Sequence, residues 1–189
     1  MVQEYIDLVQ KNIKQGFRLA EVGVYIGESS ICILPKIAEV SGSFVAIDSW
    51  KYDSSNELLT NIEPWKHICD IRTGVSWEVA NEFPNESFDM VYIDASHKYS
   101  SVIRDIRAWM PKVKVGGILA GHDYNTNWNG NNQHTDDEVS ETTHSGVSRA
   151  VNEIFAGSGF DKTKTYNAPC ETWWVTKNES NKNVGIIHY

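Results

Sequence analysis

At 189 residues, with 41% hydrophobic and 22% charged side chains, the chain has the make-up of one soluble globular domain spanning residues 1–189. Its formal charge of −8, from 25 acidic and 17 basic residues, repels a phosphate backbone and argues against nucleic acid as a partner. Three cysteines, Cys32, Cys69 and Cys170, lack CxxC or finger spacing, which excludes a disulfide scaffold and a structural zinc site.

Tyr5, Ile6, Leu8, Val9 and Ile13 recur at helical spacing, predicting an amphipathic leading helix over residues 2–15 that Gly16 ends. Glu4, Asp7, Lys11 and Lys14 interrupt residues 1–16, which therefore fit neither a signal peptide nor a membrane span; a cytoplasmic protein free of membranes is expected. Next come a short strand, Phe17 to Val22, a turn from Gly23 to Gly27, and a helical stretch reaching Val40. A second strand from Ser43 to Ile47 ends at Asp48, and a polar segment with Trp50, Tyr52 and Trp65 leads to a third near His67 to Arg72. Trp77 to Phe83 reads as a short helix.

The fourth strand, Phe88 to Ile93, ends at Asp94; a helix covers Ser100 to Met110; and the fifth strand, Gly117 to Gly121, ends at His122 and Asp123. Residues 124–145 are polar and aperiodic, with Trp128, His134, Asp136 and His144, and a connection of that length reads as a lid or as a disordered, solvated loop. A helix over 147–156 and a last strand, Thr172 to Thr176, follow, with Trp173 and Trp174 on opposite faces. The alternation predicts an α/β fold: a Rossmann-like three-layer sandwich whose mostly parallel sheet of about seven strands carries helices on both faces.

In such sheets ligands bind beyond the carboxyl ends of the strands, where Gly23, Asp48, Asp94, His122 and Asp123 all fall. The stretch from Glu21 to Gly27 places a carboxylate at a strand end and two glycines four residues apart before a helix, so that backbone can approach a ligand closely. It lacks the GxGxxG spacing of a dinucleotide site, which disfavours a nicotinamide cofactor. Asp48 stands where an acid accepts hydrogen bonds from ribose hydroxyls, or caps the next turn.

The ExGxxxG turn, the segment FVAIDSW and, in order, SFDMVYIDASHKY, WMPKVKVGGILAGHDY, GVSRAVNEIF and WWVTK resemble class I S-adenosylmethionine (SAM)-dependent methyltransferases, in a subfamily related to macrocin and mycinamicin sugar O-methyltransferases. The resemblance implies that Glu21, Gly23 and Gly27 line the methionine part of SAM, that Asp48 holds the ribose with Ser49 and Trp50 beside it, that Ser76 and Trp77 reach the adenine, and that Asp94 both borders SAM and acts with His97 in catalysis. The loop Thr73-Gly74-Val75-Ser76 offers no acid where that family often has one.

The same resemblance implies a divalent ion held by Asp94, His122 and Asp123, with His122 standing in for an acid, and His97 as the base beside Asp94. Oxygen donors suit Mg2+, and imidazole admits Mn2+. An imidazole that titrates near neutrality suits removal of a hydroxyl proton. The activity implied is methylation of a hydroxyl on a small molecule, such as a sugar or glycan precursor; amine and carboxyl acceptors, and a homo-oligomer, stay open. Two other classes are a SAM- or nucleotide-binding module without catalysis and an NAD-dependent oxidoreductase.

Overall fold

The computed structural model describes residues 2–50, 55–125, 145–162 and 171–184. Cys170 and residues 126–144, which hold most of the expected lid with Trp128, His134, Asp136 and His144, lie outside the described residues.

In chain order the elements are α1 (Val2–Asn12), β1 (Arg18–Val22), α2 (Ser30–Glu39), β2 (Ser43–Asp48), α3 (Ser55–Asn61), β3 (Cys69–Thr73), α4 (Ser76–Val79), β4 (Phe88–Ile93), α5 (Tyr99–Trp109), β5 (Val113–Tyr124), α6 (Ser145–Phe155), β6 (Asp161–Lys162) and β7 (Glu171–Thr176), with short 3-10 turns between some of them. The seven strands form one sheet in the order β3-β2-β1-β4-β5-β7-β6. Pairing is parallel from β3 through β5, and β7 runs antiparallel to both β5 and β6. The predicted Rossmann-like sandwich is therefore the observed architecture. No helix among the described residues is long and apolar enough to cross a membrane.

The strands read as unbroken apolar runs because both faces of the sheet are covered. Side chains alternate between two cores: Ala20, Val22, Val45, Ile47, Val91 and Ile93 pack against α4, α5 and α6, while Leu19, Phe44, Ala46, Met90 and Tyr92 pack against α1, α2 and α3. Trp173 and Trp174 obey the same alternation, Trp173 joining the first core and Trp174 the second.

Several boundaries depart from expectation. Helix α1 stops at Asn12, three residues short, and Gly16 instead serves a turn at a φ of 70°. β3 starts at Cys69, because Glu63–Ile68 winds into a 3-10 helix that takes in His67. The largest departure is β5, which extends from Val113 to Tyr124 and carries His122 and Asp123 inside the strand. Its pairing with β7 shifts by one residue between Gly121 and Tyr124, and Asp123 sits there at a φ of 62°. Such a bulge re-aims a side chain that strict alternation would send to the opposite face.

The chain reverses its winding between β1 and β4, opening a crevice at their carboxyl ends. Gly23 and Asp94 meet there: the Asp94 N–H donates to the Val22 carbonyl and the Gly23 N–H to that of Ile47, both at 2.8 Å.

Candidate active site

Two clefts open at this crevice, and Gly23, Tyr25, Asp94 and Ala95 line both. The larger, about 570 Å³, runs along the ends of β1, β2 and β3 past Asp48, Ser49, Trp50, Ser76 and Trp77 to α5. The smaller, about 310 Å³, lies toward α1 and α2 and is lined by Tyr5, Glu28, Ser29, Tyr92 and His97 among others. Volumes of this order suit small ligands.

Asp48 organises the larger cleft. Its two carboxylate oxygens each accept a backbone N–H at 2.8 Å, one from Tyr25 and one from Trp50. Both donors have left-handed backbones, with φ of 51° at Tyr25 and 44° at Trp50. Conformations of that kind cost about 1–3 kcal/mol each and persist where the surroundings over-determine them. Each carboxylate oxygen keeps a second lone pair for a ligand hydroxyl. Trp77 lines the same cleft, with the Arg104 guanidinium 5.2 Å from its ring centroid.

Gly23 is required sterically: a Cβ there would lie 2.0 Å from the Asp94 carbonyl oxygen, and its φ is 89°. Gly146 plays a similar part behind the site, since a Cβ would come within 2.3 Å of the His97 carbonyl oxygen where α6 presses on that loop.

Of the nine residues expected around the cofactor, Gly23, Asp48, Ser49, Trp50, Ser76, Trp77 and Asp94 line the larger cleft, and Glu21 and Gly27 line neither. Gly27 faces α3, where a Cβ would meet the Leu58 side chain at 2.7 Å; it serves packing. Glu21 is only 1% exposed because alternation along β1 turns it onto the α1–α2 side. There its carboxyl accepts hydrogen bonds from Ser29, from Ser30 at 3.0 Å and from Tyr5 at 3.3 Å, clamping the turn from beneath.

Burial pushes the Glu21 carboxyl up to about 7, against the pull of the two serine hydroxyls. A carboxyl raised on folding holds its proton longer in the folded state, so its stabilising contribution is complete below its unfolded value of 4.5 and is lost as pH rises to about 7. The slope is about 1.4 kcal/mol per pH unit. Glu21→Gln removes this titration. Measured by urea unfolding, the stability of the native protein relative to the variant is expected to fall by roughly 3 kcal/mol between pH 5 and pH 8. Parallel stability curves would contradict it.

The third group gathers at the ends of β4 and β5. Asp94, His97 and Asp123 bring one donor atom each to within 4.8 Å of one another. His97 Nε2 lies 2.7 Å from Asp123 Oδ2, and His122 Nδ1 lies 3.0 Å from Asp123 Oδ1. Burial opposes a charge on either imidazole, but the Asp123 carboxylate overrides it and raises both above the ordinary histidine range. Although buried, Asp123 falls well below the usual carboxylate range because both imidazoles hydrogen-bond to it. Burial raises Asp94, with the Asp123 charge adding to the effect.

The expected donor set of Asp94, His122 and Asp123 is thus assembled as Asp94, His97 and Asp123. His122 is 4% exposed, spends Nδ1 on Asp123, and leaves Nε2 buried without a hydrogen-bond partner among the described residues. It holds the other Asp123 oxygen and shares a small cavity with Asp94, His97 and Asp123, but at the bulge in β5 its donor atoms do not join the three that converge. Tyr5, Tyr25 and Asp105 line the clefts although the sequence does not mark them as site residues. For Tyr5 the available signal is a phenol on the apolar face of a helix, a group that needs a polar partner when buried.

Residues 20–124, more than half the chain, match a family described as a methyltransferase domain. Among solved structures, the O-methyltransferase TomG from Streptomyces achromogenes, involved in tomaymycin synthesis and solved with SAM, is similar with a TM-score of 0.71 at 16% identity, covering 94% of this chain and 79% of that one. A proposed O-methyltransferase from Klebsiella pneumoniae has a TM-score of 0.73 at 16% identity over the same shares, 94% and 79%. An rRNA methylase from Streptococcus thermophilus has a TM-score of 0.63 at 12% identity, covering 93% of this chain and 95% of that one. An uncharacterized protein of Sinorhizobium fredii is 20% identical over 117 residues, 56% of this chain; the chain spans only 13% of that relative's length. The match from β1 to the end of β5 takes in the glycine turn, Asp48, Asp94 and Asp123 together, and on it the chain belongs to the methyltransferase-domain family.

Proposed function

We propose that the protein transfers a methyl group from SAM to a hydroxyl of an uncharged small molecule, a sugar or glycan precursor being the favoured class. The observation that carries this reading is the position of Asp94, which borders both clefts and so marks where a donor in one meets an acceptor in the other. In the larger cleft Asp48 would accept the ribose hydroxyls, Ser49 and Trp50 would flank them, Gly23 would admit the methionine part, and Ser76 and Trp77 would border the adenine. Bound there, SAM supplies an electrophilic methyl group on a sulfonium.

His97 then takes the proton of the acceptor hydroxyl as the oxygen forms its bond to the methyl carbon and the carbon–sulfur bond breaks. Asp123, hydrogen-bonded to the imidazole, orients it and stabilises the cation that forms. Holding oxygen, carbon and sulfur in line supplies much of the remaining acceleration.

Asp94, His97 and Asp123 also fit a divalent ion by donor type and convergence. They would hold Mg2+ or Mn2+, which would lower the pKa of the hydroxyl as a Lewis acid so that its proton could pass to solvent rather than to the imidazole.

The smaller cleft carries Glu28 and Asp94 and no Lys or Arg among its lining residues. Anionic acceptors are disfavoured there, and the net charge of −8 acts in the same direction against RNA. The test is transfer of labelled methyl from SAM to a panel of neutral polyols, phosphorylated sugars and RNA, with and without a chelator. Label on neutral polyols is expected. Label only on RNA or on phosphorylated acceptors would overturn the reading. Loss on chelation, restored by Mn2+, would assign the proton-removing role to the ion rather than to His97.

A further inference from the structure

The larger cleft ends at a carboxylate that the methyl-transfer chemistry does not use. Asp105 lies in the second turn of α5, one turn beyond Ser101, and both line the cleft beside Gly74, Ser76 and Trp77. It is 1% exposed, yet its Oδ1 has no hydrogen-bond partner among the described residues. The Ser76 hydroxyl hydrogen-bonds to the same carboxyl, and Ser76 Oγ in turn accepts the Trp109 indole N–H at 2.8 Å. This relay fixes the carboxyl at the wall of the cleft. Burial pushes it up to about 6, against the Ser76 bond, and one oxygen of the carboxyl is left without a partner among the described residues. A buried carboxylate oxygen in that state calls for an N–H donor from a ligand.

Resting on the SAM reading above, we infer that Asp105 recognises the adenine of the cofactor, its Oδ1 accepting a hydrogen bond from the exocyclic 6-amino group. The loop that follows β3, Thr73 to Ser76, holds no acid for that purpose, and Asp105 approaches the same end of the cleft from α5. A 6-oxo base presents an acceptor at that position and would face the carboxylate with a repulsive pair.

The experiment is calorimetric titration of the full chain with S-adenosylhomocysteine and with S-inosylhomocysteine, in which a 6-oxo acceptor and an N1–H replace the 6-amino donor and the N1 lone pair. The native protein is expected to bind the adenosyl ligand more tightly by about tenfold or more, the discrimination typical of a buried polar contact. Asp105→Asn, nearly isosteric and able to donate as well as accept, is expected to narrow that ratio to about threefold or less. Asp105→Ser provides the same comparison should the asparagine variant not fold. A merely structural Asp105 would weaken both ligands alike and leave the ratio unchanged, which would overturn the inference while leaving the SAM reading intact. Equal binding of the two ligands by the native protein would do the same, and failure of the adenosyl ligand to bind at all would remove both.

Discussion

Replacing His97 by glutamine is expected to lower kcat by about two to four orders of magnitude, the range found when a general base is removed, while changing the affinity for S-adenosylhomocysteine by less than about threefold. The split follows from geometry. His97 lines the smaller cleft and not the larger one, so its loss leaves the walls of the cleft proposed for SAM in place. Its imidazole is held by Asp123 at 2.7 Å and lines the cleft proposed for the acceptor. Steady-state kinetics and calorimetry on the same preparation check both halves. A variant that keeps its kcat would dismiss His97 as the base, and one that loses cofactor affinity in proportion would make it a structural residue.

The second large effect is expected at Gly23. Gly23→Ala forces a Cβ to within 2.0 Å of the Asp94 carbonyl oxygen, and it does so at a φ of 89°, which L residues rarely adopt. The contact is backbone against backbone at the junction of β1 and β4, so no side chain can swing away. Overpacking and a strained φ together should destabilise the fold by about 3–5 kcal/mol. Whatever relaxation occurs must separate Gly23 from Asp94, the pair that borders both clefts, so binding of S-adenosylhomocysteine should be lost in the fraction that folds. Urea unfolding and calorimetry measure the two effects. A variant with native stability and native affinity would show that the crevice tolerates a wider opening than the close approach allows.

Much of the fold is legible from the amino-acid order because its physical signals are strong. β4 lies where six apolar-rich residues stand between turns, and the structure places it at Phe88–Ile93 as expected. The strand–helix alternation fixes the parallel sheet, since crossover helices leave few ways to cover both faces. β6 is not legible, for two residues carry no periodicity. β5 is legible only in its middle: Gly116 and Gly117 look like a boundary, yet the strand continues through an irregular pairing on their far side.

The site divides in the same way. Residues at strand ends, Gly23, Asp48 and Asp94, are legible because topology alone brings strand ends to one rim. Which imidazole converges with both Asp94 and Asp123 is not legible, because the one-residue bulge falls between Gly121 and Tyr124, beside His122 and Asp123. At Glu21 the place before a glycine turn suggests a ligand contact, while the period-2 geometry of β1 directs its carboxyl onto the serines at the start of α2. Asp105 escapes notice since an acid between Arg104 and Ile106 on an amphipathic helix looks like part of a solvated face. What sets it apart is its hydrogen bond to Ser76, a residue far away in the chain that also accepts the Trp109 indole N–H.

Calorimetric titration of the native protein with S-adenosylhomocysteine tests the account most directly. Stoichiometric binding in the micromolar range is expected, abolished in Asp48→Ala, whose carboxylate shapes the larger cleft through Tyr25 and Trp50. An absence of binding, or binding indifferent to Asp48, would contradict the assignment of that cleft to SAM.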